Sequence, residues 1–225
     1  MVKRGKHAGL LLITENNKAV ILQATKSYND NVNKNLKYNK HIPFVEKLSI
    51  PRGKHDAGEK DYETAVREFI EETGLVFDKI CVFGEPFMLE WQDNCKIYKY
   101  VVYVGFLMGT LYYLKKKPNS YIVKLRARIG SFAQIKIYDY KVDMLRQKFR
   151  TQELVRRIEL MNLSKYITYM ENRQLSTYKY SNYLLFFDYV YSVQKMFSNF
   201  ELDNFFFIDL QWCVESEEFD VKCCL

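Results

Sequence analysis

The stretch 53–75, GKHDAGEKDYETAVREFIEETGL, decides how the rest of the chain is read. If residues 62–73 form a helix of about 3.6 residues per turn, Glu68 and Glu72 are i,i+4 neighbours. Glu71 then lies i,i+3 from Glu68, so three carboxylates share one face. Tyr62, Val66, Phe69, Ile70 and Thr73 fall on the opposite face, which can be buried against a sheet. Gly74 is placed to stop the helix in a left-handed cap, while Gly53 and Gly58 allow a tight loop ahead of it. Three close carboxylates repel one another unless hard cations sit among them. Mg²⁺ or Mn²⁺ with oxygen ligands meets that need. Acidic helix faces are usually just solvated surface, tied here by Arg67–Glu71 at i,i+4. The specified loop before the helix argues for chemistry instead, because a backbone carbonyl in such a loop can complete a metal site.

Upstream, the apolar runs Ala8–Ile13 and Ala19–Gln23 are separated by Glu15-Asn16-Asn17-Lys18, and the pair reads as a hairpin. Thr25 to His41 is polar and asparagine-rich, the composition of a long loop. Phe44 to Ile50 returns to strand character and delivers the chain to the acidic helix. Downstream, 79–83 is strand-like, and Phe87–Gln92 with Ile97–Tyr103 predicts a second hairpin. From Thr151 the spacing of Leu154, Ile158 and Met161 suggests a helix. A second helical stripe runs over 182–200 through Leu185, Phe186, Tyr189, Val190, Val193 and Phe197. The expected architecture is α/β: a mixed sheet sandwiched by helices. A domain over 1–170 would carry a C-terminal helical extension, 171–225, packed on it.

Composition narrows the function classes. At 225 residues, 48% hydrophobic and 16% aromatic, the chain has ample material for a core, which argues against disorder. The net charge of +7 is unevenly spread. Between Lys115 and Arg157 there are 13 Lys or Arg against Asp139, Asp143 and Glu153, a balance that suits a polyanionic substrate. Cys81, Cys95, Cys213, Cys223 and Cys224 have no metal-binding spacing and are odd in number, and no apolar signal stretch follows Met1. Free thiols in a reducing, intracellular setting are therefore expected. The longest apolar run, Val101 to Leu114, is too short to span a bilayer, so no membrane partner is expected.

Gly53, Glu59, Arg67, Glu68, Phe69, Glu71, Glu72, Gly74 and Leu75 match, at every specified position, the box G-x5-E-x7-R-E-U-x-E-E-x-G-U, with U a bulky apolar residue. On these residues the chain resembles the Nudix hydrolases, whose α/β/α sandwich agrees with the architecture above. The segments AGLLLI, FVEKLSIPRGKHD, YETAVREF, YKYVVYVG, KPNSYIVKL and YSNYLLFFDYV, in this order, are similar to baculovirus Nudix proteins named ADP-ribose pyrophosphatases. A viral member would work in the host cytoplasm. The lead-in Pro51-Arg52-Gly53-Lys54 differs from the P-A-G or P-G-G of ADP-ribose hydrolases and is similar to mRNA decapping hydrolases.

The resemblance implies Glu68, Glu71 and Glu72 as ligands of Mg²⁺ or Mn²⁺, with the Arg52 carbonyl completing the set and Glu71 and Glu72 catalytic. Arg52 and Lys54 would meet substrate phosphates, and Gly53, Glu59, Arg67 and Gly74 would support the site. A further catalytic acid from outside the box is assigned to Glu153, with Glu159 and Glu90 as rivals. Trp91 or a tyrosine of 98–103 is a candidate for stacking on a guanine. The expected substrate is capped RNA, cleaved to m7GDP and 5′-monophosphate RNA. The alternative is ADP-ribose or another nucleoside diphosphate small molecule, and a homodimer is allowed.

Overall fold

Strand β1 (His7–Ile13) organises the molecule because both of its faces are buried. Leu10 and Leu12 enter one apolar cluster, Leu11 and Ile13 the other. A strand covered on both sides reads as an unbroken apolar run rather than an alternating one, and AGLLLI is such a run. The computed structural model describes residues 7–93, 95–114, 121–122, 125–129, 138–142, 145–146, 156–210 and 219–220.

After β1 come β2 (Lys18–Ala24), helix α1 (Asp30–Leu36), β3 (Leu48–Ser49), β4 (Arg52–Lys54) and helix α2 (Asp61–Thr73). The chain continues through β5 (Leu75–Phe77), β6 (Lys79–Phe83), β7 (Phe87–Asp93), β8 (Lys96–Leu107) and β9 (Leu111–Leu114). Four short strands follow: β10 (Tyr121–Ile122), β11 (Leu125–Ile129), β12 (Tyr138–Val142) and β13 (Leu145–Arg146). Then come β14 (Arg156–Asn162), α3 (Leu163–Tyr169), a π-helical turn (Met170–Gln174), β15 (Tyr180–Ser181), α4 (Tyr183–Ser198), β16 (Phe205–Asp209) and β17 (Phe219–Asp220).

The central sheet runs β14-β2-β1-β8-β6-β16. It is mixed: β1 lies parallel to β8, from Ala8↔Val101 to Ile13↔Phe106, and β6 is antiparallel to β8. Alternation sorts the side chains. Ile80, Val82, Tyr103 and Leu107 join α2 in one cluster; Cys81, Phe83, Val104 and Phe106 join α3 and α4 in the other. The result is the expected α/β/α sandwich. Both hairpins form, β1–β2 around Ile13↔Ala19 and β7–β8 from Phe87↔Val102 to Asp93↔Lys96.

Helix α2 is held as its sequence suggests. Glu63 accepts the Lys60 N–H at 2.8 Å, satisfying a donor at the N-terminal end. Gly74 closes the C-terminus at φ 67°, a conformation costly for any residue with a Cβ. Ala65, Val66, Phe69 and Ile70 are 0–1% exposed, and each large one contributes on the order of 1.5–3 kcal/mol by its burial.

Three local expectations change. Residues 156–162 form strand β14, not a helix: all seven residues pair antiparallel with β2, from Arg156↔Ala24 to Asn162↔Lys18. Within it Ile158 and Leu160 pack toward α2 while Met161 packs the other way, a period of two. The asparagine-rich loop contains α1, capped where the Asn29 side chain accepts the Asn31 N–H at 3.0 Å. In α4 the buried stripe is Tyr183, Phe186, Phe187, Val190 and Val193, whereas Leu185 is 63% exposed. Beyond residue 170, α4 covers the sheet face away from α2, β15 pairs with β7, and β16 pairs with β6. Among the described residues no helix is long and apolar enough to cross a membrane.

Candidate active site

Helix α2 places Glu68, Glu71 and Glu72 on the face turned away from the core, beside β4. The arrangement depends on Arg67, whose side chain is only 4% exposed. Its Nε and NH2 grip both oxygens of Glu59 at 2.7 and 3.0 Å. NH1 reaches Glu68 at 2.8 Å and Glu71 at 3.0 Å, and NH2 also meets the Lys54 carbonyl at 2.8 Å. A guanidinium offers five N–H donors in a fixed fork, and each has a partner here. Burial would raise the Glu59 carboxyl. Hydrogen bonds from Arg67, Thr64 and the Asp56 N–H outweigh it and hold that carboxyl below its ordinary range.

Glu68 goes the other way. Burial, then the charges of Glu72 and Glu71, push it up to about 8 despite Arg67. Gly53 lies against it: a Cβ there would overlap the Glu68 carboxylate, which would have to swing aside. Close approach, more than turn flexibility, explains this glycine. Glu72 accepts the Arg52 N–H at 2.8 Å on one oxygen and meets the Arg156 guanidinium with the other. Arg156 comes from β14, 84 residues from Glu72. Its Nε is buried with no hydrogen-bond partner among the described residues.

The Arg52 side chain turns away from the carboxylates. Its guanidinium lies 4.7 Å from the Trp91 ring centroid and 4.8 Å from that of Tyr100, and NH1 donates to Ile50 O at 3.0 Å. Trp91 is itself stacked on Tyr98 and Tyr100 and only 2% exposed. It is therefore an internal platform for Arg52 and has no free face for a base. Tyr178 and Tyr183 complete the aromatic wall. Gln174, fully buried, binds Leu48 N–H, Leu48 O, Val45 O and the Tyr178 hydroxyl, fixing the approach to the box. Lys54, by contrast, is exposed.

Of the acids expected from outside the box, Glu153 lies outside the described residues. Glu90 is engaged by Lys99 Nζ at 2.7 Å. Glu159 is three residues along β14 from Arg156, hence on the opposite face of that strand. Sequence reasoning missed Arg156, counted only as one of many basic residues, and Glu46. Burial raises the Glu46 carboxyl, as does the charge of Asp93, while the charges of Arg52 and Arg156 oppose the rise. Neither carried a local spacing signal.

Among the described residues no three His, Cys, Asp or Glu side chains already form a ready cation site; Arg67 and Arg156 engage the box carboxylates. The donor set nevertheless suits a hard dication. It is all oxygen, it sits on one helix face, and burial together with the charges of Glu72 and Glu71 already raises the proton affinity of Glu68.

Comparison with known proteins bears on this geometry. A family model described as NUDIX domain matches residues 3–111. The protein called Protein ADP-ribose pyrophosphatase ORF38, from Autographa californica nuclear polyhedrosis virus, is 43% identical over 205 residues, 91% of each chain. An uncharacterized 24.3 kDa protein of Orgyia pseudotsugata multicapsid polyhedrosis virus is 40% identical over the same share of both chains. The crystal structure of the mMutator MutT protein from Bacillus halodurans matches 52% of this chain and 64% of its own, at 21% identity and a TM-score of 0.29.

Proposed function

We propose, on the premise that this chain belongs to the Nudix hydrolase family, that it hydrolyses the diphosphate linkage of ADP-ribose, giving AMP and ribose 5-phosphate. Membership makes it a hydrolase of pyrophosphate linkages, and Nudix hydrolases work with divalent metal ions. The observation that carries the reading is the cluster of Glu68, Glu71 and Glu72 on one face of α2, beside the exposed Lys54. The ADP-ribose assignment leans on the name of the nuclear polyhedrosis virus relative.

When bound, Mg²⁺ or Mn²⁺ would neutralise the diphosphate and lower the pKa of the attacking water. Glu68, Glu71 and Glu72, with the Arg52 carbonyl, are the ligands proposed for it. Arg67 orients Glu68 and Glu71, and Glu59 anchors Arg67. Lys54 meets a phosphate oxygen as a point charge. Arg52, stacked on Trp91 and Tyr100, acts on this reading through its backbone: its N–H already orients Glu72. Glu153 is proposed to receive the water's proton, and Glu46 is a second candidate on the ground of its position near Arg52 and Arg156.

A second reading, cleavage within an RNA cap, is favoured by the Pro51-Arg52-Gly53-Lys54 lead-in, whose lysine is exposed. One comparison separates the two. Purified protein is offered ADP-ribose and capped RNA in parallel with Mg²⁺ or Mn²⁺, and the products AMP and m7GDP are quantified. Metal-dependent AMP release well in excess of m7GDP release is expected; the reverse ratio would transfer the assignment to the cap, and no turnover of either would remove both.

A further inference from the structure

Away from the box carboxylates, the molecule has a second concave surface. A cavity of about 710 Å³ lies among the end of β2, residues 36–47, β14 and the π-helical turn. Lys40, His41, Lys47, Arg157 and Arg173 line it, and among the described residues no Asp or Glu lines its walls. Lys47 is 8% exposed; its Nζ donates to Lys40 O at 2.9 Å and lies 5.1 Å from the Phe44 ring centroid. Among the described residues no carboxylate pairs with this buried ammonium, and burial alone holds its pKa down. Tyr169 lines the same cavity, with a buried hydroxyl that has no hydrogen-bond partner among the described residues.

A second cavity, about 590 Å³, shares Thr25 and Leu36 with the first. It adds Lys26, Lys34 and Lys37, against Asp30 as the one acid among the described residues that line it. The wall is built rather than loose. Asn33 bridges Ser27 N–H and Ser27 O at 2.8 Å each, and Ser27 Oγ accepts the Asn29 N–H. Two aromatic side chains stand out from this segment: Tyr28 is 65% exposed and Tyr38 90%. Cations spaced over two contiguous cavities exceed what one phosphate needs, and exposed aromatics beside them provide the stacking faces that unpaired bases use.

We propose that this track binds a single-stranded nucleic acid, with its phosphates along Arg157, Arg173, Lys40, Lys34 and Lys37 and its bases against Tyr28 and Tyr38. Arg157 follows Arg156 along β14 and so points to the opposite face of that strand, which places the track on the other side of β14 from the carboxylates that Arg156 meets. The inference goes beyond the choice of ADP-ribose and is tested without turnover.

A fluorescein-labelled RNA of about 20 nucleotides, carrying a 5′ hydroxyl, is titrated with the full chain in EDTA. Anisotropy is followed between about 50 and 300 mM KCl, and binding must weaken with salt as counterions are released. The double variant R157E/R173E should bind at least about tenfold more weakly at the lowest salt. Its log–log salt slope should flatten by about 1.4, roughly 0.7 for each lost phosphate. Y28A/Y38A should lose about fivefold or more with an unchanged slope, as expected for stacking. K34E/K37E, at exposed positions in the last turn and C-cap of α1, repeats the charge test should R157E/R173E lose its cooperative thermal transition. Wild-type binding that is absent, variants that bind like wild type, or a duplex of the same sequence bound as tightly as the single strand would each overturn the proposal. Whether ADP-ribose is hydrolysed leaves these outcomes untouched.

Discussion

Removing the Arg67 guanidinium tests the central claim about this site, that one buried cation holds three carboxylates in place. In Arg67→Ala, five hydrogen bonds disappear together, two to Glu59 and one each to Glu68, Glu71 and the Lys54 carbonyl. The Glu59, Glu68 and Glu71 side chains, 9–12% exposed, lose the cation that offsets their burial. Breaking a buried ion pair from one side costs about 3–5 kcal/mol, a large share of a total stability of about 5–15 kcal/mol. Arg67→Lys keeps the charge but has three donors and no fork. It loses at least two charge-assisted bonds and is expected to cost about 2–4 kcal/mol.

Urea unfolding at neutral pH, followed by circular dichroism, measures both losses. The pH dependence supplies an independent check through Glu59, whose carboxyl is depressed in the folded state. Such a group binds fewer protons folded than unfolded, so its stabilisation is present above the ordinary pKa of 4.5 and is lost as pH falls through the folded value. Arg67→Ala should remove that acid limb from the stability profile. A variant within about 1 kcal/mol of wild type, or one with the acid limb intact, would refute the reasoning.

Other variants test the surrounding geometry. Glu71→Gln and Glu72→Gln should each lower turnover by at least about 100-fold. Their thermal transition should stay within a few degrees of wild type, since both carboxylates lie off the apolar face of α2; a collapsed fold or near-normal turnover would contradict the assignment. Arg156→Gln frees Glu72 from a competing cation, so Mn²⁺ should bind more tightly, read by the disappearance of free-Mn²⁺ paramagnetic signal; weaker binding would mean that Arg156 helps build the metal site. Cys81 is buried, and desolvation pushes its thiol up to about 12, so it stays a protonated, unreactive thiol at pH 8. Peptide mapping after alkylation of the native protein should find Cys95, which is exposed, modified and Cys81 unmodified until denaturant is added.

How much of this was legible beforehand follows from the range over which each feature is encoded. Helix α2, its three-carboxylate face, its apolar face and its Gly74 stop were readable because helical neighbours are three and four residues apart, so local spacing alone sets who shares a face. The hairpins were readable for the same reason, since a short polar connection forces adjacent runs to pair. Residues 156–162 deceived because apolar residues at 154, 158 and 161 imitate a helical stripe. What made them strand β14 was the row of main-chain partners that β2 supplies some 130 positions earlier, and hydrogen bonds at that separation leave no periodic trace. The same holds within the site. Arg52 looked like a phosphate ligand because it adjoins the box, yet the stacked rings of Trp91 and Tyr100 lie across the sheet from it and take its guanidinium. Arg156 reached Glu72, and Lys47 with Arg157 and Arg173 came to line one cavity, only when the β2 edge, β14 and the π-helical turn converged. The order of residues along the chain thus determined the acidic helix and its own cation, Arg67, while the cation beside Glu72 and the resting place of the Arg52 side chain were left to the packing of strands distant in sequence.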